Sequence, residues 1–172
     1  MRTEIFALFA GMVYISAGLL GLNPAALVPP PADAPLTKVS VLYGYLLGLF
    51  PVNLPHSLVH LAVGAWGLVA WRRVATARLF ARTLAVFYAV LAVMGLVPAL
   101  NTLFGLLPIH GHDVWLHALT AGIAVYFGWR PEEERRAEPM TDRRDQALPV
   151  EQERRRGHPD RRLPSVSASE DL

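Results

Sequence analysis

The chain has 172 residues, of which 53% are hydrophobic and 17% charged, with a net charge of +2 and a mean hydropathy of +0.33. Residues 1–129 carry only 9 of the 30 Asp, Glu, Lys and Arg side chains, and residues 130–172 carry the other 21. That split excludes an ordinary soluble domain, the near-neutral charge excludes a basic nucleic-acid binder, and the lack of cysteine excludes disulfide scaffolds, thiolate metal sites and cysteine nucleophiles.

A bilayer core about 30 Å thick needs roughly 17 to 25 apolar residues per helix. Four segments of about that length occur, Ile5–Leu22, Leu54–Trp71, Leu79–Val97 and Val114–Trp129, the last crossing with little tilt. The first resembles a secretory signal because Ala32-Asp33-Ala34 has the small residues of a cleavage site, but its apolar run is too long and Pro35 follows the cut, so it reads as an uncleaved crossing. Val39–Val52 is apolar too, but Pro51 stops it at about 21 Å of helix, so it reads as a helix lying at the interface.

Arginine sets the orientation. The connection between the second and third crossings carries Arg72, Arg73 and Arg78, with Arg82 one turn into the next helix and able to reach outward along it, whereas the opposite connections carry only Lys38. Positive charge is retained in the cytoplasm, which puts both termini and the Arg72 connection inside. Residues 130–172, with ten arginines, eleven acids and five prolines, cannot bury enough apolar surface to offset their ordering entropy and read as a disordered cytoplasmic tail.

The chain repeats itself at an offset of 57. Residues 46–60, LLGLFPVNLPHSLVH, align with residues 103–117, LFGLLPIHGHDVWLH, with identities at Leu46/Leu103, Gly48/Gly105, Leu49/Leu106, Pro51/Pro108 and His60/His117. Gly21-Leu22-Asn23-Pro24-Ala25 and Gly95-Leu96-Val97-Pro98-Ala99 close the first and third crossings alike. The expected fold is therefore an all-α membrane protein of four transmembrane helices arranged as two repeated helical hairpins of one orientation.

Polar residues at membrane depth are the candidates for function. His56 and His60 share a helix face with Asn53 a turn earlier, and Asp113 and His117 repeat the spacing in the second copy. Gly64 and Gly67 continue the first face and Ala121, Ala124 and Gly128 the second, so both faces are expected to look into the bundle.

Four chemistries suit this set. The one that asks least is structural, with Asn53 and Asp113 capping helix starts and His60 and His117 hydrogen-bonding across the interface. A second is a zinc-like metal on His56, His60, Asp113 and His117, with His110 and His112 as loop ligands or simply a solvated turn. A third is haem between His60 and His117, against which the small residues speak because they draw helices together where a porphyrin needs room. The fourth is proton or ion movement, which lacks an ionisable relay through the inner half apart from Arg82. No catalytic motif is present. His56-Ser57-Leu58-Val59-His60 has the spacing of a zincin helix but serine in place of the glutamate base, and Ser57 points about 100° away from His56.

At Pro51–His60 and Asp113–His117 the chain resembles a family of small bacterial integral membrane proteins known as domain of unknown function 4383, over about residues 1–130. The resemblance implies four crossings in the bacterial inner membrane, with the bilayer as the one evident partner, and a polar set of Asn53, His56, His60, Asp113 and His117. It implies no established activity. Pro55 departs from the pattern, which is expected to disturb the first turn around His56.

Overall fold

The structure is a computed structural model that describes residues 2–131; the expected disordered tail lies outside the described residues. Four helices carry the chain: α1 (Thr3–Gly21), α2 (Leu54–Ala70), α3 (Val74–Leu96) and α4 (His112–Trp129). Of these, α1 and α3 are long and apolar enough to cross a membrane, and α2 is apolar but shorter. Between α1 and α2 runs a small antiparallel sheet of β1 (Leu27–Val28), β2 (Gly44–Leu46) and β3 (Phe50–Val52), in that order.

Each end has a local cause. Pro24 opens a 3-10 turn after α1, with Asn23 accepting from the Ala25 N–H. Asn53 caps α2 by accepting from the His56 N–H at 3.1 Å. Pro55 falls in the first turn, where a missing N–H costs nothing, so it fits the helix rather than disturbing it. The third helix begins at Val74, five residues before the expected crossing, because the chain turns within Trp71–Arg73. Arg78 and Arg82 are thereby helical, and Arg82 sits about 12 Å along α3 at 1.5 Å per residue. Its Nε donates to the Gly128 carbonyl at 2.9 Å and its guanidinium lies over the Trp129 ring, so it closes the end of α4 instead of reaching away.

The interfacial helix expected over Val39–Val52 is a β-hairpin. Leu47 and Gly48 take positive φ of 55° and 71°, which reverses the chain and pairs Leu46 with Phe50 and Gly44 with Val52. Leu27 and Val28 add the third strand. Residues 39–43 are loop, with a turn in which the Tyr43 N–H donates to the Ser40 carbonyl, and strand begins only at Gly44.

The second copy repeats this turn without forming a strand. Phe104 and Gly105, the counterparts of Leu47 and Gly48, take φ of 60° and 90°. The Ile109 N–H donates to the Asn101 carbonyl at 2.9 Å, matching the Val52–Gly44 register. The two loops thus share the reversal at these positions, while Leu103, at φ 46°, departs from its strand counterpart Leu46.

Small residues close each hairpin. A Cβ on Gly64 would lie 2.7 Å from the Ile15 nitrogen and 2.9 Å from the Gly11 carbonyl, and one on Gly67 would lie 2.8 Å from the Gly11 Cα. A Cβ on Gly128 would meet the Arg82 backbone and stem on α3. These glycines therefore face the partner helix of the same hairpin. The hairpins meet through Ala7, Ala10, Phe80, Ala81, Leu84, Ala85, Tyr88, Ala121 and Ala124, all buried. At one end Phe6 stacks on Phe127 at 4.7 Å and the Thr3 hydroxyl donates to the Phe127 carbonyl at 3.2 Å.

At the other end Asn53, fully buried, joins the loops. While its oxygen caps α2, its Nδ2 donates to the Val39 carbonyl at 2.9 Å and to the Leu106 carbonyl of the second copy at 2.8 Å. The Lys38 N–H adds a bond to the Gly105 carbonyl at 2.8 Å. Burial against the loop and the neighbouring Tyr45 push the Tyr43 phenol up to about 12, so it stays protonated and donates to the Pro35 carbonyl at 2.9 Å.

Two substitutions test this packing in thermal or denaturant unfolding of the detergent-solubilised chain. Gly64→Leu must push α1 and α2 apart and is expected to cost about 1–3 kcal/mol, whereas Gly122→Ala, whose added Cβ meets nothing within 4 Å, changes stability by less than about 0.5 kcal/mol. Asn53→Ala strips a cap and two buried carbonyl partners and is expected to cost about 2–4 kcal/mol. Asn53→Asp keeps the cap but loses both donors, so it is expected to cost at least as much.

Candidate metal centre

The sharp turns before α2 and α4 deliver the polar residues. Asn53 fixes the first turn of α2 and thereby aims His56, while His60 follows one turn on along the same face. In the second copy Gly111, at φ 65°, starts α4, so Asp113 lies inside the first helical turn and is not the expected cap. Its carboxylate is released for other contacts. His117 follows one turn later.

These placements bring His56, Asp113 and His117 together from the two hairpins. All three are buried at 3% exposure, and one ligand atom from each lies within 4.8 Å of the others. His56 Nδ1 is 4.0 Å from Asp113 Oδ2, too far for a hydrogen bond. Neither of these atoms has a hydrogen-bond partner among the described residues, and neither does His117 Nδ1. The carbonyls of Pro51 and Pro108, equivalent residues of the two copies, both approach the His56 ring.

His60 stands beside this set. Its ring centroid is 4.5 Å from that of His56, and its Nδ1 also has no partner among the described residues. The hydrogen bond expected between His60 and His117 is not among those that form. Instead Tyr14 packs against His60 at 5.5 Å, Tyr88 against His117 at 5.1 Å, and the two tyrosine rings against each other at 5.6 Å. Tyr14 and Tyr88 were absent from the sequence-based set, yet the signal was there: both stand in mid-helix, away from the interfacial ends where tyrosine in a crossing usually sits.

The remaining candidates separate from the centre. Asn53 spends both amide hydrogens and a bond to its oxygen on backbone groups, which holds its side chain in the loops. His110 is buried against Tyr45, and burial holds its imidazole below its usual pKa, so it stays neutral. His112 is the exposed first residue of α4 and meets Phe50 edge-on. Neither belongs to the converging set. Ser57, buried without a hydrogen-bond partner for its hydroxyl among the described residues, faces Gly21 of α1.

Chemically, two imidazole nitrogens and a carboxylate oxygen are a divalent-cation donor set. A tetrahedral ion with bonds of about 2.0–2.2 Å holds its ligand atoms about 3.4 Å apart, so closing the set takes side-chain rotations of an ångström or so.

Comparison with curated proteins finds no match, and comparison with solved structures finds none either. The sequence profile of one family does match, over residues 4–130, which includes all four helices, both turns and every residue of the centre. The chain therefore belongs to the family described as Domain of unknown function (DUF4383).

Proposed function

We propose that the protein is a four-span protein of the bacterial inner membrane, with both termini cytoplasmic, that binds a divalent cation of the zinc class at His56, Asp113 and His117 between its two hairpins. The observation that carries this reading is the convergence of three buried ligand residues, each with a side-chain polar atom that has no hydrogen-bond partner among the described residues. Leaving a buried polar atom unpaired costs about 1–3 kcal/mol, more when it is charged, and an ion bound at all three removes the cost together.

The membrane part rests on surface and charge. Phe9 and Leu19 of α1, Leu79 and Val93 of α3, and Trp115 and Leu119 of α4 are all more than half exposed, an apolar surface of the kind a bilayer covers. At 17 and 18 residues, α2 and α4 measure about 26 Å, enough to cross beside longer neighbours where the bilayer thins or the helices stand upright. Arg72 and Arg73 lie in the turn between α2 and α3, as the positive-inside rule asks.

Among the other chemistries, haem is disfavoured because Tyr14 and Tyr88 pack directly on the two histidines it would need as axial ligands. A purely structural role predicts that the histidines spend their nitrogens on each other, whereas Nδ1 of His56, His60 and His117 has no partner among the described residues.

Metal content of the full chain, purified in detergent after equilibration with zinc and removal of free ion, tests the centre. About one zinc per chain is expected, lost in Asp113→Asn and His117→Ala and retained in His112→Ala. Wild-type protein without bound zinc, with the same variants lowering only the melting temperature, would return the centre to a structural role. Because the chain has no cysteine, topology is tested separately by single substitutions. Lys38→Cys is expected to react with an impermeant maleimide in intact spheroplasts, and Arg72→Cys only after lysis.

A further inference from the structure

Closed at one end by Thr3, Phe6 and Phe127, α1 and α4 part toward the other, and a cavity of about 420 Å³ opens between them under the β2–β3 turn. Its α1 wall is Phe9, Met12, Val13 and Leu20, each 44% to 58% exposed. The mouth is thus rimmed by apolar side chains halfway along the helices, on the surface that the four-span reading places against acyl chains. Its inner end is different. There His60, Asp113 and His117 line it, with Tyr14, Tyr88 and Thr120 beside them.

We propose that this cleft is a side-entry binding site for a membrane-dissolved neutral amphiphile with a planar hydrogen-bonding head, of the quinone class, its tail between α1 and α4 and its head oxygens against His60 and His117. The volume lies in the range of small-molecule sites, about 300–1,000 Å³, and the division into apolar walls and a few convergent polar groups is the usual form of such sites. Nδ1 of His60, which stands outside the cation set, is buried without a hydrogen-bond partner among the described residues, so a head-group oxygen would satisfy an atom the protein leaves bare. Tyr14, only partly buried, lines the cleft beside His60 and gives a planar head an aromatic neighbour.

Charge selects among amphiphiles. No lysine or arginine lines the cleft, so a phosphate head finds no counter-ion there, and a fatty-acid carboxylate would stand beside Asp113. A neutral carbonyl or hydroxyl head avoids both costs. The proposal rests on the membrane reading above but not on the metal. Asp113 and His117 border both sites, His56 belongs only to the cation set, and the α1 wall belongs only to the cleft.

The test is retention of decyl-benzoquinone by the full chain in nanodiscs of quinone-free phosphatidylcholine, with and without zinc, against empty nanodiscs. Saturable retention of about one quinone per chain is expected, unaffected by excess stearate. Val13→Trp, which fills the mouth from an exposed position, is expected to weaken binding at least tenfold while zinc content stays unchanged, and His60→Leu is expected to weaken it similarly. Leu119→Trp, exposed on α4 outside the cleft, should leave it as in wild type. If Val13→Trp does not fold, Ser16→Phe on the same wall gives the same reading. Retention that never saturates, or that Val13→Trp and Leu119→Trp affect equally, overturns the site, and displacement by stearate overturns its head-group assignment. Quinone binding without zinc overturns only the metal centre, and zinc without quinone binding only the cleft.

Discussion

Everything at the loop end of this molecule depends on how Asn53 satisfies backbone groups that no helix or strand reaches. Irregular chain among apolar side chains is tolerated only where its N–H and C=O groups find partners. One carboxamide serves three of them, an N–H in α2, a carbonyl in its own loop and a carbonyl in the loop of the other copy. That junction fixes the height and rotation of α2 relative to the start of α4. The position of His56 against Asp113 and His117 follows from it.

A second consequence comes from the unequal tightness of the packing. Glycines at 11, 64 and 67 let the α1 and α2 backbones touch, and Gly128 does the same for α4 on Arg82. Contacts between the hairpins mix alanines with the larger Phe80, Leu84 and Tyr88. The polar residues collect between the hairpins, and the cleft lined from α1 and α4 opens there.

The two repeats also differ where the polar residues converge. They share the positive-φ turn and the prolines, yet Asn53 of the first copy corresponds to His110 of the second, and His56 to Asp113. Two identical copies would face His56 with another histidine. The actual pair sets an imidazole against a carboxylate, the combination that suits a cation, while His60 and His117 keep their identity and flank it. Asymmetry within a repeated scaffold turns an interface into a chemically directed pocket.

Much of this was legible in the amino-acid order. Apolar run length located four helices within a few residues of their ends, the 57-residue offset anticipated loops that share a chain reversal, and i, i+4 spacing put His56 with His60 and Asp113 with His117 on shared faces. Such signals are local, set by the helical period and by proline. The β-hairpin in place of a helix at Val39–Val52 was not legible, because its third strand is Leu27–Val28 and its turn depends on a left-handed Leu47 that residue type does not announce. Nor was the release of Asp113 from capping, the insertion of Tyr14 and Tyr88, or the facing of the glycines within each hairpin. Those depend on which helix lies beside which and at what rotation, and that is decided only when the packed chain has found partners for all its buried polar groups at once.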